Sequence, residues 1–148
     1  MAAGTRPSSA QRALTRSPNL HTRGMRWIVD GMNVIGSRPD GWWRNRRLAM
    51  TTLVERLEHW ASTQGEDVTV VFEQPLSPPV ESSLITIAHA PRAAANSADD
   101  EIVALLQAAE SPQDIRVATS DRALSGRVSA LGADVYPAQR LRDLIDPR

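Results

Sequence analysis

From residue 25 onward, short β-branched runs alternate with stretches of helical period, and this alternation restricts the possible fold more than any other feature of the chain. Arg26–Asp30 reads as a first strand. Met50, Leu53, Val54, Leu57, Trp60 and Ala61 share one face at i, i+3, i+4 spacing, which predicts a helix from Trp42 to about Thr63, ended by Gly65. Val68–Phe72 is a β-branched run suited to a strand buried on both faces. Leu84–Ala88, Ile115–Thr119 and Ala133–Tyr136 complete five strands. Further helices are predicted over Ala98–Glu110 and Arg122–Leu131, and Pro137 opens a last short one to about Ile145. The pattern predicts an α/β domain of three layers, α/β/α, around a mostly parallel sheet of about five strands. One connection is awkward. The link between the second and third strands carries Pro75, Pro78 and Pro79 and is short for a parallel crossover, so it must be extended or hold a single helical turn.

Residues 25–148 are expected to form one domain. Residues 1–24 contain Arg6, Arg12, Arg16 and Arg23, no acid and no periodic apolar pattern. They read as a disordered tail, or as an artefact of the assigned start, since Met25 stands directly before the first strand. Their composition is like that of a transit peptide, but Pro7 and Pro18 break any amphipathic helix there. No apolar run approaches the ~18 residues of a membrane span, and a cytoplasmic protein is expected.

Composition narrows the chemistry. The chain has no cysteine, which excludes disulfides, thiol nucleophiles and cysteine zinc sites. His21, His59 and His89 share no metal-ligand spacing. All 17 basic residues are arginine, and 13 of them fall in residues 25–148 against 17 acids, a net charge of −4 for that part. An acidic body argues against broad sequence-independent duplex binding.

The acids themselves are unevenly placed. Asp30 ends the first strand, Glu73 ends the second, Asp121 follows the fourth, and Asp99 and Asp100 open the helix between the third and fourth. All therefore fall at the carboxyl edge of the predicted sheet, where open α/β folds bind ligands. Taken singly, each has a structural explanation: Asp30-Gly31 as a turn, Ser97 to Asp100 as a capping box, Asp121 or Ser120 as a helix cap, Glu73 as a solvated strand end. Taken together they suggest a carboxylate pocket. Like charges brought that close raise one another's pKa unless a cation neutralises them. Mg²⁺ and Mn²⁺ prefer such oxygen ligands and can bridge them to a phosphate. Asn33 is placed to order water or contact phosphate. Thr119 and Ser120 are placed to orient Asp121 or to cap.

Three segments carry a family resemblance: Ile-Val-Asp30-Gly-Met-Asn33-Val-Ile, Ser-Ala-Asp99-Asp100-Glu-Ile and Val-Ala-Thr119-Ser120-Asp121-Arg-Ala-Leu. In order and spacing they resemble the signatures of NYN domains, the PIN-like ribonucleases, and especially their YacP-like branch. The resemblance implies a PIN-like α/β/α fold, a divalent metal (Mg²⁺ or Mn²⁺) and endonucleolytic cleavage of RNA; association with the ribosome is a separate expectation. The resemblance gives Asp30, Asp99 and Asp121 the metal-ligand role and Asn33 a supporting catalytic one. Asp100 and Glu73 are further candidate ligands. Two departures stand out. Met32 lies where the family often has an aromatic residue, and Glu73 where relatives often have Asp.

The loop after the first strand holds Arg38, Trp42, Trp43, Arg44, Arg46 and Arg47. Arginine pairs bidentately with phosphate and aromatic rings stack on unpaired bases, so this loop is the candidate grip for single-stranded or looped RNA. Packing of both tryptophans as core is the competing explanation. Arg122 and Arg92 are weaker candidates at the same edge. Two other functions compete with a nuclease: a non-catalytic RNA- or ribosome-binding module on the same fold, and a small phosphatase or nucleotide-binding protein. The last ranks lowest, since Met32 stands where an aspartyl-phosphate enzyme needs a second Asp and no Gly-rich phosphate loop is present.

Overall fold

A computed structural model describes residues 25–91 and 96–147. The expectations for residues 1–24 and for Arg92 lie outside the described residues. Five parallel strands form one sheet in the order β3-β2-β1-β4-β5, where β1 is Arg26–Asp30, β2 Asp67–Phe72, β3 Thr86–His89, β4 Ile115–Ala118 and β5 Asp134–Tyr136. The helices are α1 (Gly31–Ile35), α2 (Arg46–Gln64), α3 (Ser97–Ala108), α4 (Arg122–Ala130) and α5 (Ala138–Ile145).

The strands sort their side chains by the two-residue period of β structure. Trp27, Val29, Val70 and Phe72 face one way and pack with Val34 and Ile35 of α1, Leu53, Leu57 and Trp60 of α2, and Leu141 of α5. Ile28, Val71 and Val117 face the other way, against Ile102 and Leu106 of α3 and Leu124 and Val128 of α4. The sheet is thus covered on both faces, as the near-continuous apolar strands require. At roughly 1.5–3 kcal/mol for each fully buried aliphatic or aromatic side chain, these two layers are the main source of stability. They make the α/β/α sandwich that the alternation of runs predicts.

The differences are local. The expected Gly turn after Asp30 is a short helix, α1. Trp42–Arg44 form a 3₁₀ turn, and the long helix begins only at Arg46, where the Asn45 side chain accepts the Leu48 N–H at 3.0 Å. Gly65 ends that helix in the left-handed conformation, φ 69°. The third strand starts two residues late, because Ser82 Oγ accepts the N–H groups of Leu84 and Ile85 and holds them in a turn. Between β2 and β3, residues 73–85 run without a helix and anchor themselves by burying Leu76 and Ile85.

From β1 the chain moves outward to β2 and β3, then returns to the other side of β1 for β4 and β5. The strand order therefore reverses at the β1–β4 seam. That seam is where an open parallel sheet leaves a crevice beyond its carboxyl ends.

Candidate active site

Asp30 occupies the end of β1 at this seam, only 6% exposed. It faces the residue that follows β4: Thr119 Oγ1 donates to Asp30 Oδ2 at 2.8 Å. The turn beyond is set by Gly31, where a Cβ would lie 2.5 Å from Phe72 Cε1 and 3.1 Å from the Val71 carbonyl oxygen. Only glycine lets α1 start this close to β2.

The Asp30 pKa is raised from 3.8 to about 6, by burial first and with the neighbouring charges of Asp99 and Asp121 adding to it, while the hydrogen bonds from Thr119 and the Asn33 backbone pull the other way. Asp99, in the first turn of α3, is raised too, by its own burial first and then by Asp121, with smaller contributions from Asp100 and Glu73. Arg127 opposes these. Three acids from three separate parts of the chain thus act on one another at the seam.

The structural explanations fare unequally. Asp121 is the N-cap of α4, its Oδ1 accepting the Leu124 N–H at 2.8 Å. The capping box expected at Ser97 is not formed: Asn96 precedes the helix, in the left-handed conformation with φ 63°, and Ser97 is the first helical residue, its Oγ 3.4 Å from the Glu73 carbonyl oxygen. Capping therefore accounts for Asp121 and leaves Asp99 without that role.

Asn33 bridges the seam by accepting the Ser120 N–H on Oδ1 at 2.8 Å. Ser120 Oγ accepts the Ala138 N–H at 2.9 Å and so ties α5 to the same loop. Thr119 Oγ1 accepts the Asp121 N–H at 3.1 Å. These three side chains brace the acids. Asp100 is drawn away from them: its Oδ1 lies 3.0 Å from Arg127 Nη1. Glu73 is exposed just beyond β2. His89 ends edge strand β3, its Nδ1 2.8 Å from the Ala90 carbonyl oxygen, and His59 is exposed on α2.

Among the described residues, no three His, Asp or Glu side chains stand in an arrangement that could hold a metal ion as placed. The chemistry of the donors does fit a hard cation. The acids offer carboxylate oxygen alone, their mutual repulsion is what such a cation relieves, and the Thr119 and Leu124 hydrogen bonds engage one oxygen each of Asp30 and Asp121.

The arginine loop divides. Arg38 does not face solvent. It is buried, with Nη2 2.8 Å from Asp143 Oδ1 and 2.7 Å from the Asp146 carbonyl oxygen, and Nη1 3.3 Å from Asp146 Oδ2. It clamps the loop onto the end of α5 and is not available to phosphate. Trp42 packs against the core and walls a cavity of about 210 Å³ with Leu53, Arg142 and Ile145. That cavity contains none of the seam acids. Trp43 is 51% exposed. Arg44 and Arg46 are exposed and lie over the rings of Trp43 and Trp42, at 5.9 and 5.4 Å from their centroids. Arg47 donates to the Pro78 carbonyl oxygen at 2.9 Å, and Arg122 is exposed at the start of α4. Two arginines escaped the sequence reading. Arg142 donates to the Val34 and Ile35 carbonyls at the end of α1, and Arg127 reaches the acids of α3. Both partnerships join distant segments, and no local spacing announces them.

Comparison with known proteins gives a consistent picture. Residues 27–147 match the family model described as a YacP-like NYN domain. Among solved structures, the chain is similar to Rae1 (YacP) from Bacillus subtilis, with 26% identity over 82% of this chain and 75% of that one and a TM-score of 0.66. It is similar to the W164L mutant of the same protein, again at 26% identity over 82% of this chain, with 77% of that one and a TM-score of 0.65. No curated protein matches.

Proposed function

The chain belongs to the YacP-like NYN domains, a family of RNA-acting nucleases, and from that premise we propose that it is a Mg²⁺- or Mn²⁺-dependent endoribonuclease. One observation carries this reading: Asp30, Asp99 and Asp121 come from separate elements, and the charges of Asp99 and Asp121 raise the Asp30 pKa and that of Asp121 raises the Asp99 pKa at the strand-order switch, an electrostatically unfavourable grouping that serves no common structural purpose.

In this reading Asp30, Asp99 and Asp121 hold the metal. A bound ion at these carboxylates would supply neutralisation of phosphate charge and a more acidic water. The remaining contributions belong to the chain. Thr119 fixes the Asp30 carboxylate through Oδ2, and Asn33 and Ser120 lock the two loops that carry Asp30 and Asp121. Arg44 and Arg46, stacked on tryptophan and exposed, supply phosphate contacts, and Trp43 offers a face to an unpaired base. The substrate is single-stranded or looped RNA, with the ribosome as a candidate setting. Among the described residues, no helix is long and apolar enough to cross a membrane.

The test is cleavage of a single-stranded RNA by purified protein in Mn²⁺, with Asp30→Asn and EDTA as controls. Cleavage that stops under both is the expected result. Cleavage surviving both overturns the proposal. RNA binding without cleavage, unaffected by Asp99→Asn and lost when Arg44, Arg46 and Arg47 are replaced, favours the binding-module alternative.

A further inference from the structure

Arg127 projects from the last turn of α4 toward the first turn of α3, where its Nη1 lies 3.0 Å from Asp100 Oδ1. We propose that Arg127 is a phosphate-binding residue, which leaves Asp100 to hold an RNA backbone phosphate next to the scissile bond. The inference rests on the nuclease reading of the acids and adds to it the path of the substrate.

The ion pair is suited to exchange. The Arg127 side chain is 47% exposed and that of Asp100 70%. An exposed pair of this kind contributes little to stability, on the order of 0–1 kcal/mol, so its separation meets little resistance. The pair as it stands is a single contact, Nη1 to Oδ1 at 3.0 Å, whereas the two non-bridging oxygens of a phosphodiester, of the same unit charge, offer the guanidinium a bidentate partner. Position supports the same conclusion. Arg44 stands in the turn before α2 and Arg46 is its first residue, on the side of the sheet covered by α2. Arg127 and Arg122 lie on α4, which covers the other face. A strand laid across the carboxyl edge of the sheet would meet a cation on each side of the acids, so that backbone repulsion by the acids is offset both before and after the scissile phosphate.

A structural role makes different predictions. If Arg127 only straps α3 to α4, or only answers the partial negative charge at the end of α4, then replacing either member of the pair should act in the same direction. If Arg127 is the phosphate ligand and Asp100 its competitor, the two replacements act in opposite directions.

The experiment compares wild type, Arg127→Gln, Asp100→Asn and the double variant in Mn²⁺-dependent cleavage of a single-stranded oligoribonucleotide over a range of salt concentrations. Arg127→Gln should raise KM by roughly fivefold, the effect of one exposed charge-assisted contact, with kcat within about twofold. It should also reduce the salt slope of the affinity by about one counterion. Asp100→Asn should lower KM, and in the Arg127→Gln background it should do nothing. The proposal is overturned if Arg127→Gln lowers the melting temperature while KM and salt slope stay put, or if Asp100→Asn weakens binding as Arg127→Gln does. If wild type binds RNA without cutting it, the nuclease reading fails by itself, and the same four proteins compared by fluorescence anisotropy still decide the role of Arg127. Absence of any RNA binding by wild type overturns both.

Discussion

Thr119 Oγ1 donates to Asp30 Oδ2 at 2.8 Å and accepts the Asp121 N–H at 3.1 Å, so a single buried hydroxyl links two acids that are 91 positions apart in the chain. Thr119→Val keeps the branched shape and removes both bonds. It leaves a buried carboxylate without its donor and a backbone N–H without its acceptor, at a cost of about 1–3 kcal/mol for each unsatisfied group. It also removes an influence that lowers the Asp30 pKa. The expected result is a lower melting temperature together with an acid limb of the cleavage profile moved to higher pH, and Thr119→Ser should restore both. A melting change without any movement of the pH profile would leave Thr119 a purely structural role.

Asp30 itself makes stability depend on pH in a direction opposite to that of most carboxylates. Its pKa in the folded chain is raised to about 6 from 3.8. The folded state therefore binds the proton more tightly than the unfolded state, and the associated stability is fully present below about pH 4 and is lost as pH rises through 6. The difference corresponds to roughly 3 kcal/mol at most. In EDTA, Asp30→Asn should match wild type near pH 4 and become progressively more stable than it up to pH 7, since the amide oxygen can still accept from Thr119. Calorimetric melts of both proteins across that range measure this directly. A variant less stable than wild type at pH 7 would show that the charged carboxylate is favourable where it stands.

Removing the charge repulsion by other means should work as well. Mn²⁺ titrated into wild type is expected to raise its melting temperature in proportion to the logarithm of concentration once saturation is passed. Asp30→Asn and Asp99→Asn should each blunt that response. An equal gain in all three proteins would place the ion elsewhere.

The layers of this fold and the edge on which its acids gather could be anticipated because both depend on local pattern. Apolar period identifies β1, β2 and β4 and the long helices, and strand ends locate Asp30 and Asp121 on one rim. What local pattern does not carry is partnership between remote segments. Arg38 looks in sequence like a member of the arginine loop, yet it is consumed by Asp143 and Asp146 at the far end of the chain. Asp100 stands beside Asp99 in the sequence, yet successive helical positions point in different directions, and Asp100 pairs with Arg127, a partner from the next helix that no local spacing announces. The α1 helix was hidden for a different reason: five residues are too few to show a helical period, and the helix is held by Arg142 reaching in from α5.

That division among the arginines can be measured. Arg38→Gln removes a buried cation that hydrogen-bonds Asp143, Asp146 and a carbonyl oxygen; Asp143 reaches solvent and Asp146 keeps Arg56 and Arg142, so the cost is that of the lost buried hydrogen bonds, about 1–3 kcal/mol. Its melting temperature should fall markedly. Arg44→Gln and Arg46→Gln remove exposed charges and should leave the melt within about 0.5 kcal/mol of wild type while weakening RNA binding and its salt dependence. Reversed results, with Arg38→Gln stable and defective only in binding, would return Arg38 to the RNA surface.

Gly31 is the point where backbone shape and catalysis should meet. A Cβ at this position would press 2.5 Å from Phe72 Cε1 and 2.7 Å from Cδ1, closer than real Cβ contacts come, and Phe72 is itself fully buried between β2 and α2. Its ring has nowhere to withdraw, so Gly31→Ala must push α1 away from β2, at a cost of about 1–3 kcal/mol for overpacking. That displacement acts on Asp30 on one side and on Asn33 on the other, and through the 2.8 Å bond from Ser120 N–H to Asn33 Oδ1 it is passed to the β4 loop. Gly31→Ala should therefore lose Mn²⁺-dependent cleavage out of proportion to its lost stability. Adding Phe72→Leu, which vacates the ring position, should recover part of the activity although it removes buried surface of its own. Failure of the double variant to recover anything, with the fold intact by melting, would show that α1 is not the element through which Gly31 acts.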